Sequence, residues 1–173
     1  INKEKIELFE NIKWQEFKLT DIFTIQKGER LVEVDRIEGE VPLITASAIN
    51  NGITSFIDYD IFHIKKKLFE NQITIDMFGS VFYHNYFYFS DDNIHTLLLK
   101  DKNKDKLNDI SQVFLVTILK QLYSKYGYGR QVRIQRLENE IIKLPILKKD
   151  TINWNFIEDY IKALPYSKNL IKE

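Results

Sequence analysis

Short apolar runs separated by turn residues constrain the fold of this 173-residue chain more than any other feature of its sequence. Runs of β-branched and aromatic residues bounded by Gly, Pro or Asn predict strands. Asn50-Asn51-Gly52 lies between two such runs, and it predicts a tight turn because Asn and Gly accept positive φ. The predicted strands cover residues 14–19, 21–26, 41–46, 72–77, 81–89 and 94–99.

Helical periodicity is confined to the second half of the chain. One long helix is predicted from the spacing of Val113, Phe114, Val116, Thr117, Leu119 and Tyr123. Asp109 or Ser111 is expected to cap its N-terminus. A second helix is predicted to begin near Ile152, with Asn153 as its cap, and to end at Pro165. Many strands and few helices, without βαβ alternation, predict an α+β fold.

The overall composition argues against a general polyanion binder, because 25 basic and 25 acidic side chains give a net charge of zero. A specific DNA-binding domain is still compatible with zero net charge, since it needs only a local cluster of Lys and Arg.

The absence of cysteine excludes disulfides and thiolate metal sites. No apolar run is long enough to span a membrane and no signal peptide opens the chain, so we expect a cytoplasmic protein without a membrane partner. Because the first residue is Ile, we expect a fragment or a processed chain.

The common catalytic constellations are missing from the sequence. There is no G-x-G-x-x-G or G-x-x-x-x-G-K-S/T phosphate motif, no G-x-S-x-G motif and no cysteine nucleophile. His63, His84 and His95 lack the i, i+4 spacing of a helical metal pair, so a metal site is not predicted. We therefore predict no catalytic centre and no cofactor in this chain.

Residues 45–52 are the first candidate binding segment, with small and amide side chains that end in the predicted turn. Ser47, Asn50 and Asn51 have groups that pair with base edges, and Asn pairs bidentately with adenine. Ordinary turn chemistry is the alternative, and for Asn51 and Gly52 alone it is the favoured one.

Residues 125–136 are the second candidate, with four cations and no acidic residue. Tyrosines on a glycine frame followed by arginines suit phosphate contact together with guanine readout. A helix C-terminus also favours cations and glycine, which accounts for Lys125 and Gly127. It does not account for the four later polar residues, which are Arg130, Gln131, Arg133 and Arg136.

The aromatic segment 83–89 is the third candidate. Core packing is expected for most of it, whereas one of Tyr83, His84 or Asn85 at the start of the strand is expected to reach a ligand.

Five stretches resemble the target-recognition domain of specificity subunits (S or HsdS type) of type I restriction-modification systems and of related type IIB and IIG enzymes. Residues 14–23 (WQEFKLTDIF) with Lys27-Gly28 are similar to the opening of such domains, and PLITAS with NNGI at 42–53 is similar to the segment that follows. ITI and GSVFY within 73–83 resemble the strand-turn-strand core. IIKLP at 141–145 and NWNFIEDYI at 153–161 resemble the close of the domain and the entry to its linking helix.

This resemblance implies a non-catalytic, strand-rich α+β domain that reads part of a DNA site, with a C-terminal helix leading into a spacer. The partners it implies are double-stranded DNA, a methyltransferase subunit that binds S-adenosylmethionine and, in systems that cleave, a motor-nuclease subunit. The predicted organisation is an N-terminal arm or helix over 1–13, the recognition domain over 14–150, and the start of a spacer or dimerisation helix over 151–173. Full specificity subunits have two such domains, so the chain is interpreted as a half-subunit that forms a homodimer, an excised domain or a fragment of a fused enzyme.

The residues that touch bases vary within such a family, so the candidates rest on the sequence itself. The predicted DNA-binding residues are Lys27, Arg30, Ser47, Asn50, Asn51, His84, Tyr128, Arg130, Gln131 and Arg133.

A protein-interaction domain that docks another subunit through an aromatic face is the alternative function, because Phe, Tyr and Trp make up 13% of the chain.

Overall fold

The structure is a computed structural model, and it describes residues 11–58, 68–106, 108–165 and 167. Most of the predicted N-terminal arm, His63 and the end of the predicted spacer lie outside the described residues. The strands are β1 (Lys13–Lys18), β2 (Phe23–Lys27), β3 (Glu38–Ile44), β4 (Ile53–Ile57), β5 (Gln72–Asp76), β6 (Val81–His84), β7 (Phe89–Ser90), β8 (Ile94–Leu99), β9 (Ile141–Lys148) and β10 (Thr151–Ile152).

The helices are short, and among the residues described each one is too short or too polar to span a lipid bilayer. The α-helices are α1 (Leu19–Ile22), α2 (Asp109–Leu119), α3 (Ile134–Leu137) and α4 (Trp154–Ala163). Turns of 3-10 helix cover Glu33–Asp35, Asn50–Gly52, Asp101–Lys106 and Lys120–Lys125.

A four-stranded antiparallel sheet, in the order β2-β8-β5-β6, forms the centre of the fold. Side chains alternate across it, so one face packs on α2 and the other on the three-stranded sheet β4-β3-β7. Ile75 and Leu97 belong to the core on the α2 side, whereas Ile94 belongs to the core on the opposite side. A third sheet, β1-β9-β10, completes the domain. The α+β fold class is confirmed.

Both predicted helices are present, and one of the two predicted caps is correct. The Asn153 side chain accepts a hydrogen bond from the Phe156 amide at 3.1 Å, as predicted for the start of α4. The cap of α2 is Asn108 instead of Asp109 or Ser111, and its side chain accepts from the Ser111 amide at 2.8 Å. In the reciprocal hydrogen bond of this capping box, the Ser111 hydroxyl accepts from the Asn108 amide at 3.2 Å.

Two predicted strands are wrong in extent. A helical turn, α1, occupies the start of the predicted strand 21–26, because Leu19 and Ile22 both bury their side chains in the core. The predicted strand 81–89 is two strands, because the chain leaves the central sheet after His84. β7 then pairs in parallel with β3, with Phe89 opposite Leu43.

The described part of the predicted spacer packs on the domain. β10 pairs with β9, and α4 lies against α2. The ring of Phe156 meets that of Trp14 edge to face, with centroids 6.4 Å apart. The division at residue 151 stays a prediction.

Two buried histidines lie in the central sheet. His84 is 0% exposed, with Nε2 2.8 Å from the Thr74 hydroxyl and Nδ1 3.0 Å from the Tyr86 hydroxyl. His95 is buried on the opposite face. Burial lowers the pKa of both rings to about 4, so both are neutral at pH 7.

We predict that the fold loses stability as the pH falls from about 6.5 to about 4. Over that range the unfolded chain binds protons at His84 and His95 that the folded chain does not bind. The free energy of unfolding therefore decreases by on the order of 3 kcal/mol for each histidine. Urea denaturation at a series of pH values measures this, and the His84→Gln variant is expected to show a shallower pH slope than the wild type. Equal slopes in the two proteins would contradict the assignment.

Candidate nucleic-acid interface

One end of the central sheet brings several of the predicted site residues together. Lys27 pairs with His95, and His95 pairs with Ile75, so β2 and β5 finish where β8 begins. Segment 125–137, which links α2 to the third sheet, crosses this end. The Val132 amide donates to the Met77 carbonyl at 2.8 Å, which joins the segment to the turn between β5 and β6.

The turn between β5 and β6 is built to receive that segment. The buried Asp76 carboxylate accepts from the amides of Phe78 at 2.8 Å and Ser80 at 2.9 Å. Gly79 has a φ of +93°, which favours glycine, and a Cβ there would lie 3.1 Å from the Cβ of Tyr126. The turn therefore closes tightly enough for Tyr126 to pack on it.

The carboxylate of Glu140 fixes the start of the segment. It is 7% exposed and accepts from Lys125 Nζ at 2.5 Å and from the Tyr126 hydroxyl at 2.7 Å. Burial, with the Glu140 hydrogen bond as the second cause, raises the pKa of Tyr126 above its ordinary range. The charge of Lys125 is therefore balanced by a buried carboxylate, although the lysine side chain itself is exposed, and Lys125 has a structural role.

The three arginines of the segment are exposed and contact neutral partners. Arg130 lies over the ring of Tyr126, with its guanidinium carbon 5.9 Å from the ring centroid. Arg133 Nη2 donates to Gln131 Oε1 at 2.6 Å, and Arg136 donates to the Gln131 carbonyl. None of the ion pairs found among the described residues includes these arginines. Their positive charge is available to an anionic ligand.

Lys27 and Arg30 extend the positive charge along the same end of the sheet. α3, which follows Arg133, packs against β2. The charges of Lys27 and Arg133 both contribute to the lowered pKa of His95, after the larger effect of burial. Lys27 Nζ lies 3.9 Å from Asp92, a loose and exposed contact. Arg30 is exposed in the loop after β2, where the adjacent Glu29 amide donates to the Ser90 carbonyl at 2.9 Å.

Tyr128 is the most prominent aromatic residue of this surface. It is 89% exposed, and its ring centroid is 4.7 Å from that of Phe78 in the facing turn. Phe78 lies between the predicted strands 72–77 and 81–89, and Arg136 lies in the cationic segment 125–136, but neither was among the predicted DNA-binding residues. Only the packing of the two loops shows that they border the same surface.

The three candidates in segment 45–52 form a separate group beside β6. Asn50 and Asn51 both have a φ of 51°, and Asn50 Nδ2 donates to the Ile53 carbonyl at 3.2 Å. Ser47 and Ile49 exchange hydrogen bonds at 3.4 Å. Turn chemistry thus accounts for Ser47 and Asn50. Asn51 is exposed and borders a shallow pocket with Phe82.

His84 is not part of this surface, and its selection is corrected. It pairs with Gln72 at the opposite end of the central sheet and is fully buried. Because side chains alternate along β6, the ring of His84 points into the core between the central sheet and the sheet β4-β3-β7. Tyr88 packs on it there, with ring centroids 4.6 Å apart. The aromatic residues that surround His84 in the sequence therefore indicated a buried position.

Comparison with known proteins identifies the family. Residues 11–173 match the family of the type I restriction modification DNA specificity domain. The chain belongs to this family. It is also 32% identical over 159 residues to the specificity subunit S.BcgI of a type II restriction enzyme from Heyndrickxia coagulans.

Solved structures of such subunits share the fold of this specificity domain. The S subunit of a type I restriction-modification system from M. genitalium superposes over 88% of the chain, with a TM-score of 0.64 and 20% identity. The HsdS subunit from Thermoanaerobacter tengcongensis superposes over 91%, with a TM-score of 0.58 and 16% identity. The chain spans 44% of S.BcgI, 39% of the M. genitalium subunit and 42% of the T. tengcongensis subunit.

We predict that Glu140→Ala destabilises the specificity domain by about 1–3 kcal/mol, because the buried Tyr126 hydroxyl loses its acceptor. The free energy of unfolding in urea measures the effect. Tyr126→Phe removes the same hydrogen bond from the other side, so the double variant should cost less than the sum of the two single variants. Additive losses would show that the two side chains are not coupled.

Proposed function

We propose that this specificity domain reads its DNA target with a basic surface at the end of the central sheet, formed by Lys27, Arg30, Arg130, Arg133 and Arg136. The observation that supports this best is the set of three exposed arginines that contact neutral partners in the described part of the chain. The chain as a whole has a net charge of zero, so this local cluster supplies the positive charge that attracts DNA phosphates.

The residues of this surface suit different parts of DNA. Arg133 and Gln131 are hydrogen-bonded to each other, so their donors and acceptors are presented together. Arginine pairs bidentately with guanine and glutamine with adenine, which suits this pair to base edges in the major groove. Lys27 lies at the end of β2 and Arg30 in the loop that follows, and we assign both to phosphate contacts that set the register of the domain.

The wider assembly is part of the same proposal. The chain is one recognition unit of a specificity subunit that directs a methyltransferase subunit, with S-adenosylmethionine bound by that partner, to its site in the cytoplasm. Catalysis then belongs to the partner subunits, including a motor-nuclease where the system cleaves. Because the chain spans less than half of its relatives, a homodimer of half-subunits and a longer two-domain chain are both compatible with this assembly.

Selection from random duplex DNA, with the chain bound to its methyltransferase partner, tests the proposal. We expect one short motif to be enriched. Arg133→Ala should then weaken binding to that motif by about 1–3 kcal/mol and relax the preference at one position, whereas loss of a phosphate contact weakens all sequences alike. Fluorescence anisotropy over a range of salt concentrations measures both effects.

Lys162→Ala is the matched control for this measurement. It also removes one positive charge, but Lys162 lies on α4, where it pairs with Glu158 at 3.1 Å. Glu158 in turn bonds to Asn108 at the start of α2, the end remote from segment 125–137. Equal binding by the wild type, Arg130→Ala and Arg133→Ala would refute the assignment of the basic surface.

A second candidate function is the docking of another subunit, and an apolar groove supports it. The groove lies between β1, α2 and α4, and its volume is about 240 Å³. Trp14, Phe114, Phe156 and Tyr160 line it. Salt separates the two functions, because phosphate contacts weaken steeply with ionic strength whereas an apolar interface responds little.

A further inference from the structure

The segment between Gly127 and Arg130 is a minimal hairpin. The Gly127 amide donates to the Arg130 carbonyl at 3.2 Å, and the Arg130 amide donates to the Gly127 carbonyl at 3.1 Å. Tyr128 and Gly129 form its tip. The tip projects from the protein, since the side chain of Tyr128 is 89% exposed although Phe78 packs on one side of its ring.

The fold itself does not require glycine at either position of this hairpin. A Cβ at Gly127 or Gly129 would meet no atom within 4 Å. Neither residue has a positive φ, whereas Gly79 in the facing turn does. Where alanine can adopt the same backbone conformation, glycine only adds conformational entropy to the unfolded chain. It then lowers the free energy of unfolding relative to alanine, and the folded structure gains nothing from it.

A close approach by a ligand does require a residue without a side chain. The tip is flanked by Arg130, which lies over the Tyr126 ring, and by the Arg133–Gln131 pair. An anionic surface attracted by these arginines would meet the hairpin at the same time. The rigid ring of Tyr128 is then placed to contact bases.

We propose that the Gly127–Arg130 hairpin enters a groove of the DNA duplex, and that Gly127 and Gly129 admit the approach of DNA to the backbone of this hairpin. This inference rests on the proposed DNA-reading function and deepens it by naming the element that lies deepest in the complex. Tyr128 is a specificity-determining contact within that element, made through its ring.

Alanine substitutions separate the folding role of these glycines from the binding role. In the chain bound to its methyltransferase partner, Gly127→Ala and Gly129→Ala are expected to keep or raise the melting temperature. Each is expected to weaken binding to the selected duplex about tenfold or more. Tyr128→Ala should weaken binding similarly, and Tyr128→Phe should bind like the wild type because the ring is kept. Ser124→Ala, at an exposed position just before the hairpin, is the control and should change neither quantity.

Two results would overturn the inference. A lower melting temperature for both glycine variants would show that glycine is needed for the conformation of the loop. Unchanged affinity of both glycine variants would show that DNA does not approach the hairpin. In the second case, loss of binding by Arg133→Ala would leave the proposed function standing, whereas unchanged binding by Arg133→Ala as well would remove both.

Discussion

The candidate interface depends on the hydrogen bonds that the buried carboxylate of Glu140 accepts. Its side chain holds Lys125 and Tyr126, and its backbone carbonyl accepts from the Leu19 amide at 2.8 Å. Because Tyr126 in turn supports Arg130 and packs on the turn at Gly79, one acidic group fixes the arginine-bearing segment to the sheet. A neutral chain thereby presents a positive surface at one end: the acid that balances Lys125 is buried, and the arginines are left to face solvent.

The central sheet supplies the rigid support for this arrangement. Strand register brings the loop after β2 and the turn between β5 and β6 to the same end. The hydrogen bond from Val132 to Met77 adds segment 125–137, although the three segments are distant in sequence. Binding residues on loops supported by a packed sheet are a common arrangement, since loops can vary while the scaffold does not. The apolar groove beside Trp14 lies between β1, α2 and α4, and none of its lining residues belongs to the basic surface, so DNA reading and subunit docking need not compete.

The sequence predicted most of the strands, both main helices and the α+β class, because these depend on local periodicity and on turn and cap residues such as Asn153. It misplaced the boundaries where tertiary contacts decide, as at α1, where burial of Leu19 and Ile22 overrides the strand pattern. For the proposed interface, clustered charge in the sequence selected Arg130 and Arg133 as candidates, and their role stays a prediction. The neutralisation of Lys125 by Glu140, the burial of His84 and the stacking of Phe78 on Tyr128 depend on packing between distant segments, which no local pattern encodes.

Hydrogen exchange measured by mass spectrometry, with and without the selected DNA duplex, tests the central claim most directly. It reports which backbone amides DNA covers, independently of any substitution. We expect slower exchange on DNA binding in peptides that cover residues 27–31, 77–80 and 126–136, with no change in α4. Protection confined to α4 and to the strand around Trp14 would contradict it, and would place the DNA on the face assigned here to protein partners.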